Sequence, residues 1–506
     1  MSLDLALGIA RSGLAATQRG LAQASQNIGN AETPGYTRKT VQLAAQTADG
    51  RPAGVRAGEA QRSVDTALLA RLDAARAAEA AGGLRERLLG QVEQAHGVPG
   101  DKTSLADGVA ALHDSFIALR ASPGDAGLQR GALDAADTVA RRLNALSDAI
   151  GTARQEAQAT IEQEVASIND ALREIASLTA RIRSGGDGAQ AELEDRRDAA
   201  IARLSESLEV QAVHQPSGEV VLLARGIGVL PLDPERDQFS VAPAAVSPQS
   251  WYGASGTLPG VMLNGLDVTG QIAGGRLGEA VTLRDSVLPR LQAEADLAAS
   301  TLAGRLEAQG LRLFTDTDGS VPATGAYAGS AQIGFAGRIA VNPAIAGNAA
   351  LLRDGTHAVT ATPGGPTAFM PNPPGGPAGF TTLLDRVLDF SFGAQAAAGS
   401  PWPAIPASAL GPDGSLTSPF LVPATIEDYA ARVTAAPAAD RATATAAHEE
   451  AQSLRQSLEE RFRADTGVDI DAEMAGMITL QNSFAANAQV ISTVQAMWDS
   501  LLAAVR

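Results

Sequence analysis

The chain has 506 residues, carries a formal net charge of −17 and contains no cysteine. This length allows two to four domains with their own cores, and the negative charge argues against a protein that binds nucleic acid or an anionic membrane. The lack of cysteine excludes disulfides, thiol catalysis and cysteine metal sites. Because neither a secretory signal peptide nor an apolar run of about 18 residues is visible, we expect neither a cleaved leader nor a membrane-spanning helix.

The first forty residues carry a coiled-coil pattern. A large apolar side chain recurs at every seventh position, and smaller residues fill the alternate positions between them. This spacing of four and three residues keeps one stripe of the helix, its seam, facing a partner helix. The pattern stops at Thr33-Pro34-Gly35-Tyr36, where proline disfavours helix and glycine permits a reversing turn. We predict a helix that ends in a fixed corner. Its large seam residues are Leu7, Leu14, Leu21 and Ile28.

The last forty residues repeat the pattern and predict a rod on the order of 50 Å long, at ~1.5 Å per residue. Burial of a single seam barely offsets the backbone entropy lost when a helix of this length becomes ordered. We therefore expect both terminal helices to need partners, with simple packing into one globular bundle as the alternative. The C-terminal seam residues are Leu480, Phe484, Asn487, Ile491, Val494, Trp498 and Leu501, followed by Val505.

Asn487 is the polar member of that seam. A buried polar group needs a partner, and a single asparagine in a seam can set the register of two helices at a cost in stability. The alternative is that Asn487 faces water, at a frayed edge or in a channel. The sequence leaves both interpretations open.

Between the two ends, helical and β-like segments alternate. Helical spacing continues past Gly82-Gly83, restarts at Ser104 with a capping box to Asp107, and then runs almost without interruption from Asp125 to Arg183. We predict a mainly α fold with a β-rich insertion. Its parts are a terminal coiled-coil domain (residues 1–40 and 468–506), a helical-bundle domain of long helices (41–210, 275–310 and 425–467) and one or more outer β-rich domains (211–274 and 311–424).

No constellation of side chains supports catalysis, so we predict no enzymatic activity, no metal and no cofactor. The five histidines are scattered, without metal-ligand spacing. The run Asp316–Ser320 hints at a calcium loop but lacks the glycine and glutamate that an EF-hand needs at its sixth and twelfth positions, which favours an Asp-Gly turn. The charged run Glu194–Asp198 is interpreted as a solvated helix face, and so are the basic residues of the first 62 positions.

The segment Ser25–Tyr36 (SQNIGNAETPGY) resembles the signature of the axial proteins of the bacterial flagellum, which are its rod, hook and hook-associated proteins. Gly29 replaces the alanine usual in that signature. The residues after the tyrosine, together with the C-terminal run Thr466–Met474 (TGVDIDAEM), resemble hook-associated proteins more than rod or hook proteins. The matching motif residues are Asn27, Asn30, Thr33, Pro34, Gly35, Tyr36 and Arg38.

The resemblance implies a structural protein of the junction between hook and filament. Such a protein is secreted by flagellar type III export, lies in the extracellular flagellum and serves motility. The implied partners are identical subunits in a short helical ring, the hook protein, a second junction protein on the filament side and an export chaperone near the C-terminus. The seam residues of both ends would join the subunits. A hook or distal-rod structural protein is the main alternative, followed by an enzyme or adhesin displayed on a flagellar scaffold.

Overall fold

The structure is a computed structural model that describes residues 3–33, 35–48, 51–97, 102–185 and 190–504. Two residues named from the sequence lie outside these ranges, namely Pro34 of the corner and Val505 at the end of the C-terminal seam. Within the described ranges the fold is mainly helical and contains five small sheets. A mainly α fold with β structure in an insertion is thereby confirmed.

The N-terminal helix α1 (Leu3–Gly29) leads through the corner into a long hairpin. Gly35 has a φ of 77°, in the left-handed region that glycine tolerates. Strands β1 (Lys39–Ala48) and β2 (Arg51–Arg62) then pair antiparallel. The hairpin lies against α1, because the backbone N–H of Val55 donates to Ser12 Oγ at 3.1 Å. The hairpin therefore supports the first helix.

Four long helices form the body of the molecule: α2 (Thr66–His96), α3 (Leu105–Ala121), α4 (Ala126–Arg183) and α5 (Gln190–Ser207). Helix α4 is one uninterrupted element of 58 residues, about 87 Å long, as its sequence pattern predicted. The predicted capping box of Ser104 and Asp107 is present. Helix α2 continues through its glycine pair as predicted, and Asp65 caps its N-terminus.

The rest of the chain begins with two three-stranded antiparallel sheets, β3 (Val210–His214), β4 (Val220–Ala224) and β5 (Gly228–Leu230), then β6 (Phe239–Ser240), β7 (Met262–Leu263) and β8 (Leu266–Asp267). Helices α6 (Gly275–Thr282) and α7 (Leu288–Ala308) follow, joined by a π-helical turn that the sequence did not predict. Short elements come next: β9 (Phe314–Thr315), β10 (Ala340–Val341), α8 (Pro343–Gly347), α9 (Leu351–Asp354), α10 (Thr382–Arg386), β11 (Gln395–Ala397) and β12 (Ser400–Pro401). The chain finishes with α11 (Ile426–Thr466) and α12 (Ile470–Ala504).

One apolar core joins the helices to this irregular segment. It includes fully buried residues as far apart in sequence as Leu88, Phe314 and Tyr429. Buried arginines fasten the loops that strands do not hold, and Arg305 of α7, for example, donates to the carbonyls of Gly393 and Ala424. Most of residues 311–424 is irregular and shares the core of the helices. The division into separate bundle and outer domains therefore stays a prediction.

Candidate assembly site at the terminal helices and their corner

The two terminal helices pack against each other in antiparallel orientation. A Cβ atom at Gly13 of α1 would lie 3.0 Å from Oδ1 of Asn487, and one at Gly20 would lie 3.2 Å from Cδ1 of Leu480. One heptad forward on α1 thus corresponds to one heptad backward on α12. Because glycine has no side chain, α12 approaches the backbone of α1 closely at both positions.

The C-terminal seam faces this contact. Between residues 471 and 504, every side chain that is not exposed lies at a position with spacing of four and three. Leu501, which we placed in the seam, is instead 52% exposed. In the antiparallel pairing, the position opposite Leu501 would come before Leu3, the residue at which the described part of α1 begins. The side chains that face α1 are Glu473, Met477, Leu480, Phe484, Asn487, Ile491, Val494 and Trp498.

Small residues line the α1 side of the contact. Ala10, Thr17 and Ala24 are buried, and they share a stripe with Gly13 and Gly20 because their spacing is again four and three. The large residues that we assigned to the N-terminal seam are only half-buried. At about 100° per residue they lie about 70° around the helix from the small stripe. They therefore flank the contact with α12: Leu7, Leu14, Leu21 and Ile28.

Helix α12 carries further apolar side chains outside its seam. They are 41% to 58% exposed. Within the seam itself, Glu473 and Val494 are buried and the other side chains are half-buried against α1. These more exposed residues are therefore the main apolar surface that α12 offers to another molecule. We call them the flanks of α12: Ile470, Met474, Ile478, Val490, Met497, Leu501 and Leu502.

Asn27, a residue of the family motif, fixes the chain just after the corner. Its Nδ2 donates to the carbonyl of Lys39 at 2.9 Å, and its Oδ1 accepts from the backbone N–H of Lys39 at 3.2 Å. The hydroxyl of Tyr36 donates to the same Oδ1 at 2.9 Å. Burial, reinforced by neighbouring carboxylates, raises the pKa of Tyr36 to about 12, so the phenol remains a donor at neutral pH.

The other described motif residues build the turn itself. Asn30 Nδ2 donates to the carbonyl of Gln26 at 2.9 Å, and the hydroxyl of Thr33 donates to Asn30 Oδ1 at 3.3 Å. The N–H of Tyr36 donates to the carbonyl of Thr33 at 3.1 Å. These bonds satisfy backbone groups that the end of a helix leaves without partners. The motif therefore terminates α1 and sets the direction of the strand β1 that follows.

Asp195 of α5 ties the corner to the helical body. Its carboxylate accepts from the hydroxyl of Thr37 at 2.7 Å, from Lys39 Nζ at 2.7 Å and from Arg62 Nη1 at 3.2 Å. The side chains of Lys39 and Asp195 are only 2% and 9% exposed. The interpretation of Glu194–Asp198 as a solvated helix face was wrong, because α5 packs against the corner and turns its carboxylates toward the cations of the hairpin.

The charge network continues along α5. Arg62 also pairs with Glu194 at 2.8 Å and with Asp198 at 2.6 Å, and His214 Nε2 lies 3.1 Å from Asp198. Burial alone would raise the pKa of Asp198, but the hydrogen bond with His214 and the charge of Arg62 hold it below its ordinary value. One sequence signal for this network was available, since acidic residues at positions i, i+1 and i+4 lie on one face of a helix.

Among the described residues, no group of three or more histidine and carboxylate side chains could hold a metal ion, and no helix is long and apolar enough to cross a membrane. The carboxylate of Asp316, in the run that hinted at calcium, is paired with Arg338 at 3.0 Å.

Two family models match the chain. Residues 89–320 match the helical domain of the flagellar hook-associated protein FlgK, and residues 464–504 match the C-terminal region of the flagellar basal-body rod proteins FlgEFG. The chain is thus similar to FlgK-like flagellar hook-associated proteins. The FlgK match runs from the last turns of α2 to the loop after β9. The rod-protein match takes in the seam of α12.

One solved structure that matches is the flagellar hook junction protein FlgK from Burkholderia pseudomallei. It is 25% identical, with a TM-score of 0.40, and the match covers 51% of this chain and 47% of that chain. The matched part thus spans about half the length of the Burkholderia protein. No curated protein matches the chain.

Proposed function

We propose that this FlgK-like chain is a structural subunit of the junction between hook and filament, outside the cell, and that it has no enzymatic activity. The observation that carries the proposal is the terminal helix pair. Its helices turn facing stripes toward each other and leave the flanks of α12 exposed. Groups of exposed apolar side chains on one helix are typical of a protein–protein contact. The FlgK-type helical domain and the rod-type C-terminal segment support the same role.

In this proposal the flanks, rather than the seam, join the subunits. The seam of α12 faces α1 and stabilises the pair within one subunit. At about 100° per residue, Met474 and Ile478 lie on one side of the seam, whereas Val490 and Met497 lie on the other. Two different surfaces on one helix suit a heterologous contact, which is the kind that builds rings and helices. Identical subunits in a short helical ring would cover both flanks.

The remaining partners follow from the same role. The hook protein would bind at one end of the ring and a second junction protein at the filament end. An export chaperone would cover the apolar C-terminal helix while the chain awaits type III export. None of these partners needs a cofactor.

Co-sedimentation with isolated hooks tests the role of the flanks. Val490→Glu and Met497→Glu place charges on exposed positions, so they should prevent assembly and leave the circular dichroism of the free protein unchanged. Gln495→Glu is the matched control, since it adds the same charge at another exposed position of α12. Ile491→Asp should instead separate α12 from α1, because a charge in the seam costs several kcal/mol unless it is paired. Full hook binding by both flank variants would refute the assignment.

A strain that lacks the chain tests the place of the protein in the flagellum. Complete hooks without filaments would support the junction. Absence of hooks would support the alternative, a hook or distal-rod structural protein. Electron microscopy of isolated hook–basal bodies distinguishes these outcomes without any knowledge of the contact residues.

A further inference from the structure

Arg38 contacts both sides of the connection between the last two helices. Its backbone N–H donates to the carbonyl of Thr466, the final residue of α11, at 2.8 Å. Its Nε donates to Oε1 of Glu473, in the first turn of α12, at 2.6 Å. One residue of the N-terminal corner thus holds the end of one C-terminal helix and the start of the next.

The two partners in this ion pair differ in exposure. The side chain of Glu473 is 7% exposed, whereas that of Arg38 is 48% exposed. A carboxylate buried to that degree is unfavourable unless it is paired and hydrogen-bonded. Among the described residues, Arg38 is the cation that pairs with it. The contact therefore matters more to Glu473, and hence to the position of α12, than to the partly solvated arginine.

Glu473 is also the first side chain of the seam that faces α1. Asn27 fixes the other helix at the same level, because it is bonded to the backbone of Lys39, the residue next to Arg38. The corner therefore determines how far along α1 the helix α12 begins. A slip of one heptad, about 10 Å at 1.5 Å per residue, would break both bonds of Arg38.

Asn487, in contrast, is poorly placed to set the register. It lies about 21 Å further along α12 than Glu473, against the bare backbone of Gly13. Its side-chain amide has no hydrogen-bond partner among the described residues. Asn487, the polar seam residue that the sequence singles out, therefore makes no hydrogen bond across the described part of the helix pair, whereas Glu473 is paired with Arg38.

We propose that Arg38 and Glu473 form the clamp that selects the register of the terminal helix pair. Arg38 is a positioning residue in this proposal, and Asn487 is dispensable for register. The proposal concerns the free subunit and stands whether or not the chain assembles on hooks. It also assigns a physical role to a motif residue for which the resemblance supplied none.

Disulfide trapping tests the clamp, because the natural chain has no cysteine to interfere. Gly20 contacts Leu480, so Ala24, one turn later on α1, faces Met477, one turn earlier on α12. The pair Ala24→Cys with Met477→Cys reports the native register. Pairs of Ala24→Cys with Ile470→Cys or Phe484→Cys report a slip of one heptad in either direction. Mild oxidation of the monomer, followed by electrophoresis and peptide mapping, measures all three.

We expect the chain with no further substitution to cross-link only through the native pair. Arg38→Glu or Glu473→Arg should lower the native yield relative to the slipped pairs by about tenfold, the factor equivalent to 1.4 kcal/mol. The double exchange Arg38→Glu with Glu473→Arg should restore the native pattern, which a general loss of stability would not do. Arg11→Gln, which removes an exposed charge from α1, is the control and should change nothing. Arg38→Gln, a milder change, covers the case in which charge reversal prevents folding.

Two results would overturn the clamp. One is a purely native pattern in Arg38→Gln and in both charge reversals. The other is the appearance of slipped pairs in Asn487→Leu, which would return the selection of register to the seam asparagine. Hook binding plays no part in these measurements, so their outcome is separate from that of the assembly experiments.

Discussion

Asp195→Asn tests whether the charge network of α5 attaches the terminal corner to the helical body. The substitution keeps the shape of the side chain but removes its charge, and it leaves Lys39 without a carboxylate at a position where only 2% of its side chain is exposed. Removal of one partner from a buried ion pair typically costs about 3–5 kcal/mol. The carbonyl of Thr37, 3.3 Å from Lys39 Nζ, and the ring of Tyr36 offset only part of this loss.

The reverse substitution should cost less. In Lys39→Met, Asp195 keeps the guanidinium of Arg62 and the hydroxyl of Thr37. The double variant should recover much of the loss caused by Asp195→Asn, because no buried charge remains unpaired. A double-mutant cycle should therefore give a coupling energy well above the ~0.2–1 kcal/mol typical of exposed ion pairs.

Hydrogen exchange measured by mass spectrometry gives the readout region by region. Asp195→Asn should accelerate exchange in the hairpin and in the first turns of α5 while α3 and α4 stay protected. Arg196→Gln changes an exposed charge on the same helix and serves as the control. Equal protection of the hairpin in the Asp195→Asn protein and the parent chain would refute the idea that this network holds the corner.

Three further predictions concern the helical body. Burial lowers the pKa of His96 from 6.5 to about 4. The neutral imidazole therefore favours the folded state above pH 6.5, and this contribution is lost as the pH falls. In urea titrations, His96→Leu should reduce the loss of unfolding free energy between about pH 7.5 and 5.5 by about 1.4 kcal/mol. The guanidinium of Arg154 donates to the carbonyls of Arg284, Ser247 and Ser250, so Arg154→Met should lower the unfolding free energy by several kcal/mol, at about 1–3 kcal/mol for each unpaired carbonyl. Arg154→Lys should recover less than half of this loss, since an ammonium lacks the planar fork of donors. A full recovery by lysine would contradict this interpretation. Gly82→Ala on α2 should destabilise the protein, because the new Cβ would lie 3.1 Å from the Cα of His448 on α11. Gly90→Ala, also on α2, meets only an arginine side chain and should stabilise the protein by about 0.5–1 kcal/mol through helix propensity. Equal shifts in melting temperature for the two variants would disprove the distinction.

Regular patterns predicted the helices well. The 58 residues of α4 and the stripe that α12 turns toward α1 follow from hydrophobic spacing alone, because one spacing persists over many turns. The family motif likewise marked the corner. These features depend on residues that are close in sequence.

Contacts between distant segments were not predictable in the same way. The seam of α12 packs against α1 of the same chain, and no periodic pattern distinguishes such a partner from a helix of a second subunit. The ion pairs of Asp195 bring α5 against residues more than 130 positions earlier in the chain. A run of charged residues is interpreted as solvent-exposed when the sequence does not show which distant segment packs against it. The core shared by the irregular residues 311–424 escaped prediction for the same reason.

The position of Arg38 beside Thr466 has a consequence for the order of folding. If the residues between them were unfolded, closure of so long a loop would cost about 5 kcal/mol in chain entropy. A folded helical body removes this cost, because it already holds Arg38 next to Thr466. The backbone nitrogen of Arg38 lies 2.8 Å from the carbonyl oxygen of Thr466. We therefore expect α1 and α12 to pair last, from the corner outward. On this expectation the flanks of α12 become ordered only on a subunit that is otherwise complete, and partly folded chains do not present them.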